Sequence, residues 1–174
     1  MRVFADLHVH SRYSGATSQR MNVYELSAYA QLKGLNLLGT GDALHPSWLE
    51  ELRRSLDLIE DGVYKPKSGG DVYFIPQVEV ATIHEYEGKA RRIHHVILMP
   101  SLDIAEQLST ELKRFGDVTA DGRPVLNMHP AELIEIVMSL DKRNIVFPAH
   151  VWTPWWSIFG AKSGVDRIEE CYED

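Results

Sequence analysis

The sequence has 174 residues, of which 44% are hydrophobic, and a formal net charge of −7. This length predicts a single domain, residues 1–174, with one buried core. The acidic charge disfavours a strongly basic nucleic-acid-binding surface, although acidic metal ligands contribute to the count. No segment is apolar over the roughly 20 residues of a membrane span, and no signal pattern precedes Val3, so we expect a cytoplasmic protein without membrane contact.

Hydrophobic periodicity predicts strands that alternate with helices. In chain order we predict a strand at residues 2–7, a helix at 22–33, a strand at 35–40, a helix at 46–59, a polar break at 65–70, strands at 71–81 and 94–99, helices at 102–115 and 130–140, and a strand at 144–149. The strands at 71–81 and 94–99 are candidates for a hairpin. This alternation predicts an α/β fold with a mainly parallel sheet or barrel, where ligands gather at the carboxyl ends of strands.

A metal site in this chain must use histidine and carboxylate, because Cys171 is the single cysteine. Asp6, His8 and His10 alternate along the end of the first strand, so both imidazoles can reach one ion. An isolated pair of this kind favours two hydrogen-bonded structural histidines instead. The interpretation of His8 and His10 as metal ligands therefore depends on further candidate ligands elsewhere in the chain.

That support comes from the later strands, each of which carries a candidate ligand. An acid such as Glu79 inside an apolar run is costly to bury without a partner. Ionisable groups are rarely placed at the rim of a barrel for packing alone. The later candidates, which together favour a metal cluster, are Asp42, His45, Glu79, His94, His95 and His150.

The chain resembles the PHP superfamily, named for polymerase and histidinol phosphatase, in motifs spread along its whole length. The matching residues are His8 and His10, Thr40-Gly41-Asp42, Glu79, His95-Val96-Ile97-Leu98 and Ala149-His150. Within that superfamily, residues 11–18 and 148–156 most resemble the endonuclease Q family of archaea and some bacteria. Members of that family nick DNA on the 5′ side of deaminated bases.

The resemblance implies a distorted (β/α)7 barrel with two or three divalent ions, zinc, manganese or magnesium, at its mouth. It implies that His8 and His10 bind the first ion, that Glu79 bridges the first and second, and that His95 and His150 complete the second. The family motif favours His95 over His94, because its histidine directly precedes a run like Val96-Ile97-Leu98. Adjacent strand residues face opposite sides, so only one of the two is expected to be a ligand.

The chain departs from the family pattern in two places. Asp42 is followed by Ala43 where the family has histidine, so a role at a third ion passes to Asp42 or to His45. No Asp-x-His motif follows His150 in the sequence up to Asp174, although the family ends its barrel with one that completes its first and third sites. We therefore expect the chain to be part of a longer protein, with an incomplete barrel whose open edge is covered by a partner, for example in a homodimer.

The expected chemistry is hydrolysis of a phosphate ester by metal-activated water, with His8, His10 and Glu79 at the catalytic centre. Arg12 either meets a phosphate oxygen or stays solvated in its loop. Trp155 and Trp156 either stack on a nucleotide base or pack against the rest of a longer protein.

Three functions stay open. The tryptophan-rich loop favours a DNA repair endonuclease acting on DNA with deaminated bases. The acidic charge favours a small-molecule phosphatase of the histidinol-phosphatase type. The absent Asp-x-His motif favours a metal-binding fragment without catalysis. His84 and His129 belong to no motif and are assigned surface or structural roles.

Overall fold

The computed structural model describes residues 2–172, which form a mixed α/β fold with two mixed sheets. The strands are β1 (Ala5–Asp6), β2 (Leu37–Gly39), β3 (Leu56–Glu60), β4 (Val63–Pro66), β5 (Tyr73–Ile75), β6 (Gln77–Tyr86), β7 (Lys89–Leu98), β8 (Val125–Asn127) and β9 (Ile145–Pro148). The helices are α1 (Val23–Leu32), α2 (Pro46–Ser55), α3 (Leu102–Leu112), α4 (Pro130–Leu140) and α5 (Glu169–Tyr172).

The first sheet has the strand order β1-β2-β5-β4-β3. Strands β1, β2 and β5 are parallel, whereas β4 and β3 are added as an antiparallel hairpin. Helix α1 connects β1 to β2 and is capped by Asn22, whose side chain accepts a hydrogen bond from the backbone N–H of Glu25. The parallel part of this sheet directs the loops after β1 and β2 to the same edge.

The second sheet has the order β8-β6-β7-β9 and is built on the long β6–β7 hairpin. Tyr86 pairs with Lys89, so the turn has two residues, Glu87 and Gly88, with φ values of 51° and 70°. Positive φ at both central positions is the geometry of the tight turns that match strand twist. This turn fixes the register of the whole hairpin, including the pairing of Glu79 with Val96.

Several predicted elements were wrong in extent: β1 is shorter than the predicted strand at 2–7, β7 begins five residues before the predicted strand at 94–99, and β8 was not predicted. The helix predicted at 46–59 ends at Ser55, because Leu56–Glu60 pairs with Val63–Pro66 across a turn at Gly62, whose φ is 77°. The predicted polar break at 65–70 therefore begins inside β4. The strand predicted at 71–81 is divided by Pro76, which cannot donate to a ladder, into β5 and β6 in different sheets.

The described residues do not form a closed barrel, so the predicted (β/α)7 arrangement is not observed, although the α/β class is confirmed. The two hairpins supply antiparallel pairs where we expected a mainly parallel sheet. Within residues 2–172, β1 and β9 each pair with one strand only, and Phe4 and Phe147 beside them are exposed. The homodimer through an open edge stays a prediction.

One apolar core joins the first sheet, the β6–β7 hairpin and helices α1 to α4. Trp48 and Phe74 are fully buried at its centre, and the Trp48 Nε1 donates to the carbonyl of Gly41 at 2.7 Å. This bond fixes the loop after β2 to the core. Among the described helices, none has the length and apolar character needed to cross a membrane.

Candidate metal centre

Glu79 on β6 lies at the centre of a cluster of histidines. Its carboxylate is buried, with 2% of the side chain exposed, and four imidazole nitrogens surround it. Nε2 of His8, Nδ1 of His94 and Nε2 of His150 lie 3.0, 3.0 and 3.3 Å from Oε1, and Nε2 of His10 lies 3.4 Å from Oε2. The structure thus brings together four of the predicted ligands, His8, His10, Glu79 and His150, and adds His94.

His8 and His10 lie just after β1, in a loop that Gln77 holds in place. The Gln77 Oε1 accepts hydrogen bonds from the backbone N–H of Val9 at 3.3 Å and of Gly41 at 3.1 Å. A Cβ at Gly39 would lie 2.6 Å from this oxygen, so glycine makes room for the Gln77 side chain. Gln77 is two residues from Glu79 and therefore ties the loops after β1 and β2 to the strand that carries the central acid.

Asp42 orients His10 from behind rather than lying among the atoms around Glu79. Its Oδ1 is 3.1 Å from Nδ1 of His10, and its carboxylate also accepts from the Ser11 backbone N–H, the Ser11 Oγ and the Ser14 Oγ. The side chain is fully buried, and the backbone has a φ of 48°. A carboxylate behind a ligating histidine fixes its tautomer and ring orientation.

His45 lies outside the cluster, although it was a candidate for the third ion. It precedes α2 as the N-cap residue, its Nε2 lies 3.0 Å from the carbonyl oxygen of Thr119, and its ring stacks on Tyr13. Asp42 and His45 are absent from both groups of candidate metal ligands in the described residues. The third-ion roles predicted for them have no support in this geometry.

His95 does not face Glu79, and we correct its assignment in favour of His94. Ala81 pairs with His94, and Ala81 lies on the same face of β6 as Glu79, two residues away. His95 pairs with Val80 and faces the other side, where its ring nitrogens lie 2.9 Å from Thr82 Oγ1 and 3.0 Å from the Tyr172 hydroxyl. Full burial lowers the pKa of His95 to about 3, so it is a neutral core residue.

The electrostatics of the cluster favour a bound cation. Burial alone would raise the pKa of Glu79, but hydrogen bonds from His10, His8 and His94 outweigh it and hold that pKa far below its ordinary value. Burial would lower the pKa of His10, yet hydrogen bonds to Asp42 and Glu79 raise it to about 9. In the metal-free cluster, the Glu79 carboxylate is therefore anionic and the His10 imidazole is protonated. A metal ion can replace the positive charge of that proton.

The donor set fits two divalent ions that share Glu79. One group is His8, His10 and Glu79, and the other is Glu79, His94 and His150; within each, one ligand atom per residue lies within 4.8 Å of the others. Imidazole nitrogens and a carboxylate are ordinary ligands for such ions, and three protein ligands leave a position open for water or substrate. Cations held by these residues would compensate the charge of the buried Glu79 carboxylate.

The loop after β9 brings tryptophans to this centre under local strain. His150 and Trp156 have backbone φ values of 31° and 60°, which residues other than glycine rarely adopt. Such backbone strain is common at functional sites. The Trp156 ring lies 5.0 Å from the His94 ring, whereas Trp155 and Trp152 are 53% and 80% exposed. Arg12 is engaged elsewhere, in an ion pair with Glu51 at 2.6 Å.

No protein-family model matches the chain. It is 40% identical over 150 residues to an uncharacterized protein of Methanocaldococcus jannaschii, covering 86% of this chain and 16% of that protein. It is 23% identical over 186 residues to an uncharacterized protein of Bacillus subtilis, covering 96% of this chain and 45% of that protein. The chain therefore spans less than half the length of both relatives.

Two solved structures match nearly the whole chain. One is endonuclease Q in complex with a 27-mer duplex that has an abasic lesion at the active site, with a TM-score of 0.85 and 35% identity. The other is the lesion-specific endonuclease PfuEndoQ of Pyrococcus furiosus, with a TM-score of 0.83 and 34% identity. Each match covers 99% of this chain and 40% of the neighbour. The predicted resemblance to endonuclease Q is confirmed, and membership of the PHP superfamily stays a prediction.

Proposed function

We propose that this chain forms the metal-dependent catalytic part of a DNA repair endonuclease that hydrolyses a phosphodiester on the 5′ side of deaminated bases. The observation that carries the proposal is the buried Glu79 carboxylate with four imidazole nitrogens within 3.4 Å. The likeness to two endonuclease Q structures, one of them bound to duplex DNA, supports the reaction class and the substrate.

The residues that would hold the ions are His8, His10, Glu79, His94 and His150. Four imidazoles to one carboxylate favour zinc over magnesium, which prefers oxygen ligands. Bound ions would supply an activated water and stabilise charge on the leaving oxygen. The negative charge of Glu79 would lower the net positive charge of the centre. Asp42 holds Nδ1 of His10, so that Nε2 of the same ring is directed towards Glu79.

On the substrate side, the exposed tryptophans provide surface for an extruded base. A base inside the stack cannot be read without leaving it, and each stacked base contributes roughly 1–3 kcal/mol to binding. Trp155 is half exposed in the loop that follows His150, so aromatic surface lies within a few residues of the chemistry. Arg12 can contribute only after leaving Glu51, so we assign it a smaller part in binding.

The test is a comparison of substrates in the protein that carries this chain. Manganese- or zinc-loaded protein is expected to nick a uracil-containing duplex and to leave an undamaged duplex and an aryl phosphate largely intact. His10→Ala is expected to abolish nicking, whereas Glu106→Gln, an exposed acid on α3, is the matched control. Faster hydrolysis of the aryl phosphate than of any duplex would reject the endonuclease in favour of a small-molecule phosphatase.

A further inference from the structure

Arg92 lies on the same face of the hairpin as the metal cluster. It pairs with Ile83 on β6 and is two residues from His94, so the side chains of Arg92, His94 and Glu79 share one side of the sheet. Arg91, its neighbour, faces the opposite side. The position of Arg92 therefore extends the cluster's face towards the tip of the hairpin.

The Arg92 guanidinium is held beside the tryptophan that contacts the cluster. Its central carbon lies 5.7 Å from the centroid of the Trp156 ring, and that ring lies 5.0 Å from His94. Ser163 fixes the two backbones together, because its carbonyl accepts from the Arg92 N–H at 2.9 Å and its Oγ accepts from the Trp156 N–H at 2.8 Å. Arg92 and Trp156 thus form one unit beside His94.

The charge of Arg92 has no counter-charge among residues 2–172. Eight other arginines each have a carboxylate oxygen within 4.0 Å, whereas the described residues provide none for Arg92. The residue is also only partly exposed, in a protein of net charge −7. An unpaired, half-buried cation beside an anion-processing centre is well placed to receive an anion from outside the chain.

We propose that Arg92, positioned by Trp156, binds a phosphate group of the substrate next to the metal centre. This inference rests on the proposed function and names a residue that recognises the substrate. A guanidinium that stacks on an aromatic ring keeps its N–H edges free, and those edges match two phosphate oxygens. Trp156 then serves to position Arg92, which leaves the exposed Trp152 and Trp155 available to a base.

The test compares three variants in the metal-loaded protein. Arg92→Gln removes the charge, Arg92→Lys keeps it without the planar donor edge, and Arg114→Gln is the matched control. Arg114 also lies over an aromatic ring, 4.8 Å from the centroid of Phe115, but it is in the turn after α3, outside the hairpin face that carries the cluster. Binding of a uracil-containing duplex is measured across a salt series, together with metal content.

Arg92→Gln is expected to weaken DNA binding about 10-fold and to reduce the slope of log affinity against log salt by about 1. The DNA affinity of Arg92→Lys should lie between those of Arg92→Gln and the parent. The affinity and salt dependence of Arg114→Gln should match those of the parent. Parental affinity and slope in Arg92→Gln with intact metal content would overturn the inference.

A second probe separates this inference from the proposed function. Binding of inorganic phosphate to the metal-loaded parent and to Arg92→Gln is measured by calorimetric titration. If the parent neither binds nor nicks duplex DNA but phosphate binds the parent more tightly than Arg92→Gln, the endonuclease proposal fails and the role of Arg92 stands. If phosphate binds both proteins equally and DNA binding is also equal, Arg92 does not bind phosphate.

Discussion

The two histidine pairs around Glu79 are supported in different ways. The first pair, His8 and His10, follows β1 and is backed by the buried Asp42, while Gln77 holds its loop. The second pair, His94 and His150, joins β7 to the loop after β9. Nδ1 of His150 lies 2.8 Å from the Thr153 hydroxyl in an exposed turn, and its Nε2 lies 3.1 Å from His94.

This difference indicates that the two ions would not be equivalent. A buried carboxylate behind an imidazole fixes the ring and strengthens it as a ligand, whereas an exposed hydroxyl fixes it less firmly. We therefore expect the first pair to form the tighter, preorganised site and the second pair to form a weaker site that adjusts to substrate. The strained φ of 31° at His150 belongs to the same adjustable region.

The largest effect is expected from the residue that both pairs share. Glu79→Gln removes the central charge and should eliminate both sites, because breaking a buried ionic contact costs about 3–5 kcal/mol, or more than 100-fold in affinity. Metal analysis after dialysis should then find neither ion retained. Glu106→Gln on α3 is the control, and retention of two ions by Glu79→Gln would refute the bridging role.

Substitutions at His94 and His95 test which of these two neighbouring histidines belongs to the second pair. His94→Ala should lose the second ion and keep the first, whereas His95→Gln should keep both and change stability only. The reason is the register, which places His94 beside Glu79 and His95 against Thr82. Titration of each variant with zinc measures the number of ions bound. Loss of an ion from His95→Gln with full occupancy in His94→Ala would reverse our correction.

Asp42→Asn tests whether the first pair owes its tightness to the group behind it. The substitution keeps the shape of the side chain and removes the charge that orients His10. We expect affinity at the first site to fall roughly 10- to 100-fold while the second site is unchanged. Competition with a chelator of known affinity resolves the two constants. Equal weakening of both sites would mean that Asp42 supports the fold rather than the first pair.

The sequence predicted best where a signal lies within one element. Helix α4 occupies the predicted residues 130–140, because Pro130 in its first turn and the spacing of Leu133 and Val137 both act locally. The extent of α2 was not predictable in this way. Leu56–Glu60 becomes a strand only because Val63–Pro66 is available to pair with it, and that contact is not local.

The same limit explains His94. His8, His10 and His150 could be placed from the ends of their own strands, and Glu79 from the apolar run around it. The choice between His94 and His95, in contrast, depends on the register of two strands. The signal was in the sequence: a two-residue turn at Glu87-Gly88 pairs odd-numbered residues of β6 with even-numbered residues of β7. That parity puts His94 on the face of Glu79, and it contradicts the family motif as we aligned it.

The smallest effect is a pH dependence that distinguishes the two pairs. Hydrogen bonds to Asp42 and Glu79 outweigh burial and raise the pKa of His10 from 6.5 to about 9, whereas burial is the main cause of a lowered pKa at His150. Near pH 7.5 the first pair must therefore lose a proton when it binds a metal, and His150 need not. Calorimetric titrations in two buffers of different ionisation enthalpy should show more proton release with the first ion than with the second.

The same shift affects the stability of the metal-free protein. Because the folded pKa of His10 is raised above the unfolded value of 6.5, its stabilisation is fully present below pH 6.5 and is lost as pH rises through about 9. The melting temperature of metal-free protein should thus fall between pH 7 and 9.5, and His10→Gln should show a smaller fall. Saturation with metal is the control, since the ion replaces the proton and should flatten the curve. An identical fall in the parent and in His10→Gln would show that His10 does not hold the proton, and the contrast between the two pairs would then rest on Asp42 and Gln77 alone.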